Sequence, residues 1–443
     1  MTAASSPDRS STSPVTGDVS TGRKGMVWVL ADAVFSFEML FVLFLFAGRY
    51  KVDPRFQWIP VDLTALTFGL SVGCGALVLL RRRPFSVSLS GVRVVAVYAL
   101  FAGYSVASLL WSPSRSYGGT KALYLVTLVA WCLVAPVLIV AASEDRQRRL
   151  IVALAVFASW IGLETALAYV GGSGTGFVTA LGGSGNYLGI GRTLGIGMVS
   201  LLVGGLFLFE GRLWPALAIG MAAALAGLLL VVGGRGPFLA SVASVAVLFA
   251  MMGRLSASRG LVLPRRVAWL GAIAAVGVAV TAAVVARAGL TTTLVRLQLL
   301  FSGSLGASAG ARVTWMREAL DGWVDAPVVG HGLGSWPVLL DMKDARGYPH
   351  NLLLETGFEG GLVGVALLAA LCALALRTSM RAGPLRTPTR VFALLLFVNT
   401  LLNAMVSGDV SDNRVVFVAV GLLAAPPLLP PDTTRRTTVE GAS

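Results

Sequence analysis

Uncharged hydrophobic runs of about membrane length alternate with short polar loops along nearly the whole chain, as in Leu63–Leu80, Trp214–Val232 and Gly360–Leu376. A helix needs roughly 20 mostly apolar residues to cross a bilayer, and tilt or kinking widens this to about 17–25. Twelve segments qualify: 26–47, 61–80, 93–111, 121–141, 150–170, 188–209, 214–232, 237–253, 267–286, 352–376, 390–407 and 414–430. The last carries Pro426 and Pro427, so it either spans or re-enters. The pattern predicts an all-α polytopic membrane protein of about twelve transmembrane helices.

Composition agrees. The 443 residues are 56% hydrophobic and 13% charged, with mean hydropathy +0.80, which excludes an ordinary soluble domain. The net charge of +14 raises the question of nucleic acid, but its placement answers differently. Arg81, Arg82, Arg83 and Arg93 follow the second run, and Arg146, Arg148 and Arg149 the fourth. Arg254, Arg259, Arg265 and Arg266 follow the eighth, and Arg377, Arg381, Arg386 and Arg390 the tenth. Every second short loop is basic, which places those loops and both termini in the cytoplasm. Aromatic residues do not interleave with the basic ones, so no nucleic-acid partner is expected.

The expected organisation is a disordered cytoplasmic tail (1–25), N-terminal transmembrane helices (26–183), a membrane core (184–430) and a second tail (431–443). The first tail is Ser/Thr/Pro-rich and lacks the apolar core of a signal peptide. Cys74, Cys132 and Cys372 lie within apolar runs and read as packing residues.

The outer loops are then 48–60, 112–120, 171–187, 233–236, 287–349 and 407–413. The loop 287–349 far exceeds the others, and long connections among tight ones usually carry function. Within it Val313, Met316, Leu320, Trp323 and Val324 recur at helical spacing, predicting an amphipathic helix on the membrane surface or packed as a lid. Arg235, in "VVGGRGPFLAS", stands at a depth where a guanidinium needs an anion or a path to water. Its flanking glycines leave room for a phosphate; a turn arginine reaching solvent is the plainer alternative. Arg192 lies in apolar sequence near the same face, and Arg312 opens the amphipathic helix.

Four segments resemble those of the O-antigen ligase and polymerase family: "GSGNYLGIGR" (183–192), "GGRGPFLA" (233–240), "ARVTWMREALDGWVDAPVVGHGLGSW" (311–336) and "YPHNLLLETGFEGGLVG" (348–364). Their order, spacing and common membrane side carry the likeness, which spans roughly 184–376. The family more often has serine at the position of Gly234. The resemblance implies a multi-pass enzyme of the cell (plasma) membrane, active on the extracytoplasmic face. It would move an oligosaccharide from a polyprenyl diphosphate carrier to a hydroxyl of a glycan or lipid acceptor, by inverting, metal-independent transfer without a cofactor. It also implies that Arg235, Arg312 and His350 are catalytic, and that Asn186, Arg192, Arg317 and Asn351 bind substrate.

The residue chemistry fits. Guanidinium groups in a dry site stabilise the charge that builds on departing diphosphate. Imidazole, with an ordinary pKa of about 6.5, suits removal of the acceptor's proton. Pro349 is expected near the first turn of the tenth span, with His350 at its positive end and kept neutral. Asn351 would hydrogen-bond the acceptor or cap the helix. Glu355 falls about 140° around that helix from His350 and so cannot pair with it. His331 reads as a turn residue. Asp409 and Asp412 make a poor metal site, and Asp412 is expected to cap the last helix. The rival reading is a transporter or flippase of lipid-linked glycans. The chain shows no convincing inverted repeat, and Asp32, Glu38 and Glu164 are scattered.

Overall fold

The structure, a computed structural model, describes residues 25–51, 53–82, 87–170, 187–256, 260–262 and 264, isolated positions between 267 and 298, and residues 307–381 and 387–424. These are helical apart from loops and one short antiparallel hairpin, β1 (Arg254–Ser256) with β2 (Gly260–Val262). Eight helical segments among them are long and apolar enough to span a membrane. They comprise α3 (Leu63–Arg81), α4 (Leu89–Ala107), α5 with α6 (Tyr117–Tyr124, Ala130–Leu138) and α7 (Glu144–Val170). The others are α8 (Tyr187–Val203), α9 (Leu213–Val232), α10 (Arg235–Met252) and α13 (Leu352–Arg381). Two shorter apolar helices, α14 (Pro388–Ala404) and α15 (Arg414–Ala424), complete the C-terminal side. The run predicted at 267–286 lies mostly outside the described residues, as do Pro426 and Pro427.

Two predicted spans are broken rather than continuous. The first divides into α1 (Met26–Val34) and α2 (Phe37–Phe46), bent by 57°. Ser36 restarts the helix because its hydroxyl accepts the Met39 N–H, as an N-cap does. Glu38 then stands in the first turn of α2, paired with Arg146 at 3.0 Å and facing Arg149 at 3.7 Å. The tenth span breaks at Gly361, whose φ of 59° and ψ of −160° only glycine adopts easily. Residues 327–332 of the loop that precedes this helix fill that break. Leu362 and Val363 donate N–H bonds to the Pro327 and Val328 carbonyls, while His331 and Gly332 donate to those of Phe358 and Glu359. A Cβ on Gly361 would lie 2.3 Å from the Val328 carbonyl oxygen, so any side chain would expel the loop.

Helix α8 is the core of the bundle: 78% of its apolar window is buried, against 17% for the peripheral α3. It packs on α7, α9, α10 and α14. Close approach there depends on small residues, since a Cβ on Gly197 would meet the Ala158 methyl at 2.1 Å.

The amphipathic helix forms as α11 (Ala307–Asp325), but with a different inward face from the one its apolar spacing suggested. Ala319 is fully buried with Trp336 of α12 (Ser335–Leu339) and Phe358 of α13, while Leu320 and Val324 are exposed. Two glycines set this rotation. Gly322 leaves space for the Phe358 ring, and Gly357 leaves space for Trp323. Ring-over-glycine contact thus outweighs the simple apolar stripe. His331 locks the same contact, its Nε2 lying 2.7 Å from the Gly322 carbonyl oxygen, which agrees with a structural turn residue.

Candidate active site

The turn 405–413 between α14 and α15 draws the dispersed motifs together. Its successive carbonyls accept from three of them: Met405 from Asn351 Nδ2 at 3.0 Å, Val406 from Arg312 Nη1 at 3.5 Å, and Ser407 from Arg192 Nη2. A fourth motif abuts the same turn, because a Cβ on Gly236 would lie 2.6 Å from Val406 Cγ2. Arg235 is the adjacent residue, the first of α10. Gly408 has φ of 80°, and a Cβ there would sit 3.1 Å from Arg192 Nη1. The turn therefore needs glycine for its backbone and for the guanidinium beside it.

His350 stands immediately before α13. Asn351 is the cap of that helix: its Oδ1 accepts the Leu354 N–H at 3.0 Å and its carbonyl accepts from Glu355. Pro349 consequently lies ahead of the helix and not in its first turn, because the Asn cap starts the helical geometry later. His350 has φ of 60°, a left-handed conformation uncommon for residues other than glycine. Such backbone strain concentrates at functional sites.

Aromatic packing orients the imidazole. Trp315 of α11 stacks on it at 5.3 Å between centroids and 15° between planes, and Tyr348 meets it edge-on at 4.6 Å. Nδ1 is buried without a hydrogen-bond partner among the described residues. Burial, then the charges of Arg312, Arg192 and Arg346 in that order, pull the imidazole down to about 4. A neutral ring at pH 7 agrees with the expectation, but burial and three arginines cause it where the helix N-terminus had been expected to.

Arg346 was not anticipated. It bridges Asp409 at 3.5 Å, pairs with Asp412, and lies over the Tyr348 ring at 5.3 Å. Asp412 is thus an ion-pair partner and not the cap of α15; the guanidinium outcompetes that weaker role. Asp409 accepts from the Tyr117 hydroxyl, Ser411 and the Asp412 N–H, and no cluster fit to hold a metal occurs among the described residues. The sequence "DARGYPHN", with an arginine four positions before the histidine, was the available signal.

Glu355 does not pair with His350, as expected, although His350 precedes the helix and the angular argument does not reach it. It pairs instead with Lys121 of α5, a fully buried ammonium that also donates to both oxygens of Glu359, at 2.7 and 2.6 Å. Glu355 also lies 3.4 Å from the Val410 N–H, tying this knot to the 405–413 turn. A lysine in an apolar run, with carboxylates four residues apart on another helix, was its legible trace.

The other expected site residues scatter. Arg317 is exposed on α11, and Asn186 lies outside the described residues. Arg192 and Arg346 also border a cavity of 1040 Å³, whose lining does not include His350, Arg312 or Arg235.

Comparison with known families now bears on this arrangement. Residues 219–369 match the family model described as O-antigen ligase. The match covers about a third of the chain, takes in Arg235, Arg312, Arg346 and His350, and falls within the stretch whose motifs suggested that family. A search of curated proteins finds no match. This similarity to the O-antigen ligase model, set in a bundle of apolar helices, supports a membrane glycosyltransferase-like role in polysaccharide biosynthesis. Arg192, Lys121, Asp409 and Asp412 lie outside the matched stretch, so the cluster described above draws on both flanks of it.

Proposed function

We propose that the protein transfers an oligosaccharide from a polyprenyl diphosphate carrier to a hydroxyl of a glycan or lipid acceptor, at the extracytoplasmic face of the plasma membrane. The observation that carries this is the His350 imidazole, stacked on Trp315 with a buried Nδ1 that has no partner among the described residues, under the charges of Arg312, Arg192 and Arg346. The acceptor oxygen attacks the anomeric carbon while its proton passes to His350. The bond to the carrier diphosphate breaks with inversion, and the polyprenyl diphosphate leaves bearing the electron pair. Arg312, Arg192 and Arg235 hold that developing charge, so the leaving group needs neither a proton nor a metal. Bound diphosphate also offsets the cations that depress His350, so the base gains basicity when the donor is in place. Asn351 acts through the helix cap and its tether to Met405.

The test is reconstitution in liposomes with a radiolabelled lipid-linked oligosaccharide and a separate sugar acceptor. New glycosidic bonds are expected, with loss of label from the carrier. Movement of intact carrier across the bilayer without bond formation would establish the transporter reading instead. Products of increasing length would assign a polymerase, and one block on a different lipid a ligase.

A further inference from the structure

The 1040 Å³ cavity is built largely by the N-terminal helices and α15, outside the matched stretch. It reaches the top of the range for small-molecule sites, about 300–1,000 Å³, so it has room beyond a single sugar ring. Its wall mixes aromatic rings (Tyr50, Tyr124), side-chain amides (Asn399, Asn403) and hydroxyls (Thr193, Thr400). Rings beside amides and hydroxyls suit the apolar faces and hydroxyl edges of a saccharide.

The charges on this wall divide into two groups. Most are consumed locally: Arg55 by Asp53 at 2.7 Å and Glu164 at 2.8 Å, Lys51 by Asp62 at 2.6 Å, and Arg346 by Asp412 and Asp409. Asp344 is saturated by the N–H groups of Arg115, Ser116 and Tyr117 and by the Ser114 hydroxyl. Arg49, Arg192 and Arg414 differ. Each lines the cavity, each has a buried guanidinium nitrogen without a hydrogen-bond partner, and none has a carboxylate at ion-pair distance among the described residues. Their other neighbours are weaker: Arg49 lies beside Tyr50 and feels the Glu164 carboxylate from beyond ion-pair distance, Arg414 lies over Phe44 at 5.4 Å, and Arg192 rests on a backbone carbonyl with the Asp409 charge at longer range. Desolvated cations left in this state call for an anionic ligand.

We infer that the cavity is a glycan subsite selective for acidic saccharides, with Arg49 and Arg414 reading carboxylate or phosphate groups on the sugar units. This rests on the transferase reading and deepens it, because the arginines invoked are other than those assigned to the carrier diphosphate, apart from Arg192 at the border. A planar guanidinium matches such groups through paired hydrogen bonds.

The full chain in nanodiscs is titrated calorimetrically with hexagalacturonate, with maltohexaose as the neutral match and with inorganic diphosphate. The acidic oligosaccharide should bind at least about tenfold more tightly than the neutral one. The Arg49→Gln/Arg414→Gln double variant should lose about tenfold of that affinity, while Arg49→Lys/Arg414→Lys keeps part of it. Thermal unfolding of each variant identifies misfolding, and the lysine pair supplies the folded comparison if the glutamine pair is unstable. Equal affinity for acidic and neutral oligosaccharides would overturn the inference, as would unchanged affinity in the glutamine variant. So would displacement of hexagalacturonate by stoichiometric diphosphate, which would make the cavity the carrier headgroup site. Retained transfer by a His350→Ala protein would sink the catalytic reading alone and leave this binding result standing.

Discussion

Two ionic groups lie on either side of the start of α13, and they are built on opposite plans. On the inner side, Lys121 is surrounded by Glu355 and Glu359 with Asp409 close by, and its nitrogen is saturated at short range. On the other side, His350 faces Arg192, Arg312 and Arg346, and no carboxylate pairs with it among the described residues. In the first cluster one buried ammonium binds carboxylates from another helix, so it holds helices together. In the second, Arg346 is engaged by Asp409 and Asp412, while Arg192 and His350 keep buried nitrogens without a partner among the described residues, so it awaits an anion. Burial alone does not distinguish architecture from chemistry here; the balance of charge does.

The sharpest way to break that contrast is to remove His350. His350→Ala should cut glycan transfer by about 10²–10⁴, the usual loss for a general base, while donor binding survives on the arginines. His350→Gln preserves size and hydrogen bonding, so full activity in that variant would reduce the ring to a positioning role. Lys121→Met attacks the other side. It leaves two carboxylates buried without their cation, and breaking a buried pair in this way costs about 3–5 kcal/mol. A lower unfolding temperature is expected, largely restored in Lys121→Met/Glu355→Leu/Glu359→Leu. If the single variant lost transfer but no stability, the knot would belong to the chemistry.

Arg312→Ala should lower turnover by about 10²–10³ with little change in stability, as for loss of one charge-stabilising donor. Arg235→Lys keeps the charge but loses the planar fork, and a strong loss there is also expected. Near-normal transfer by Arg235→Ala would remove that residue from the site. The smallest effect should come from Asn351→Ala. Losing the cap should cost about 0.5–2 kcal/mol and slow transfer by loosening His350, with donor affinity little changed.

The all-helical class was legible because runs of membrane length leave few alternatives. His350, Arg192 and Arg312 were legible for a related reason, since polar groups in such surroundings need a purpose. The breaks at Ser36 and Gly361 were hidden: each sits in a stretch that is apolar enough overall to read as one span, and tertiary hydrogen bonds from residues 327–332 stabilise the second. Lys121 with Glu355 and Arg346 with Asp412 were hidden because nothing local links residues so far apart in the chain. The packed face of α11 was not legible, because glycine, absent from an apolar stripe, marks the contact.

The most direct test of the central claim uses the chain's two histidines, His331 and His350. Histidine-selective ¹⁵N labelling in nanodiscs gives two imidazoles to follow by NMR, and His331→Gln assigns them. His350 is held down to about 4, so its ring should stay neutral from pH 8 to about 5 and protonate only below that. Transfer judged by kcat/KM should then keep its acid limb equally low, whereas kcat, which reports the donor complex, should lose activity at higher pH. Adding a polyprenyl diphosphate should move the His350 titration upward towards about 6.5. A His350 that titrates near 6.5 without donor, and does not respond to the diphosphate, would contradict the account.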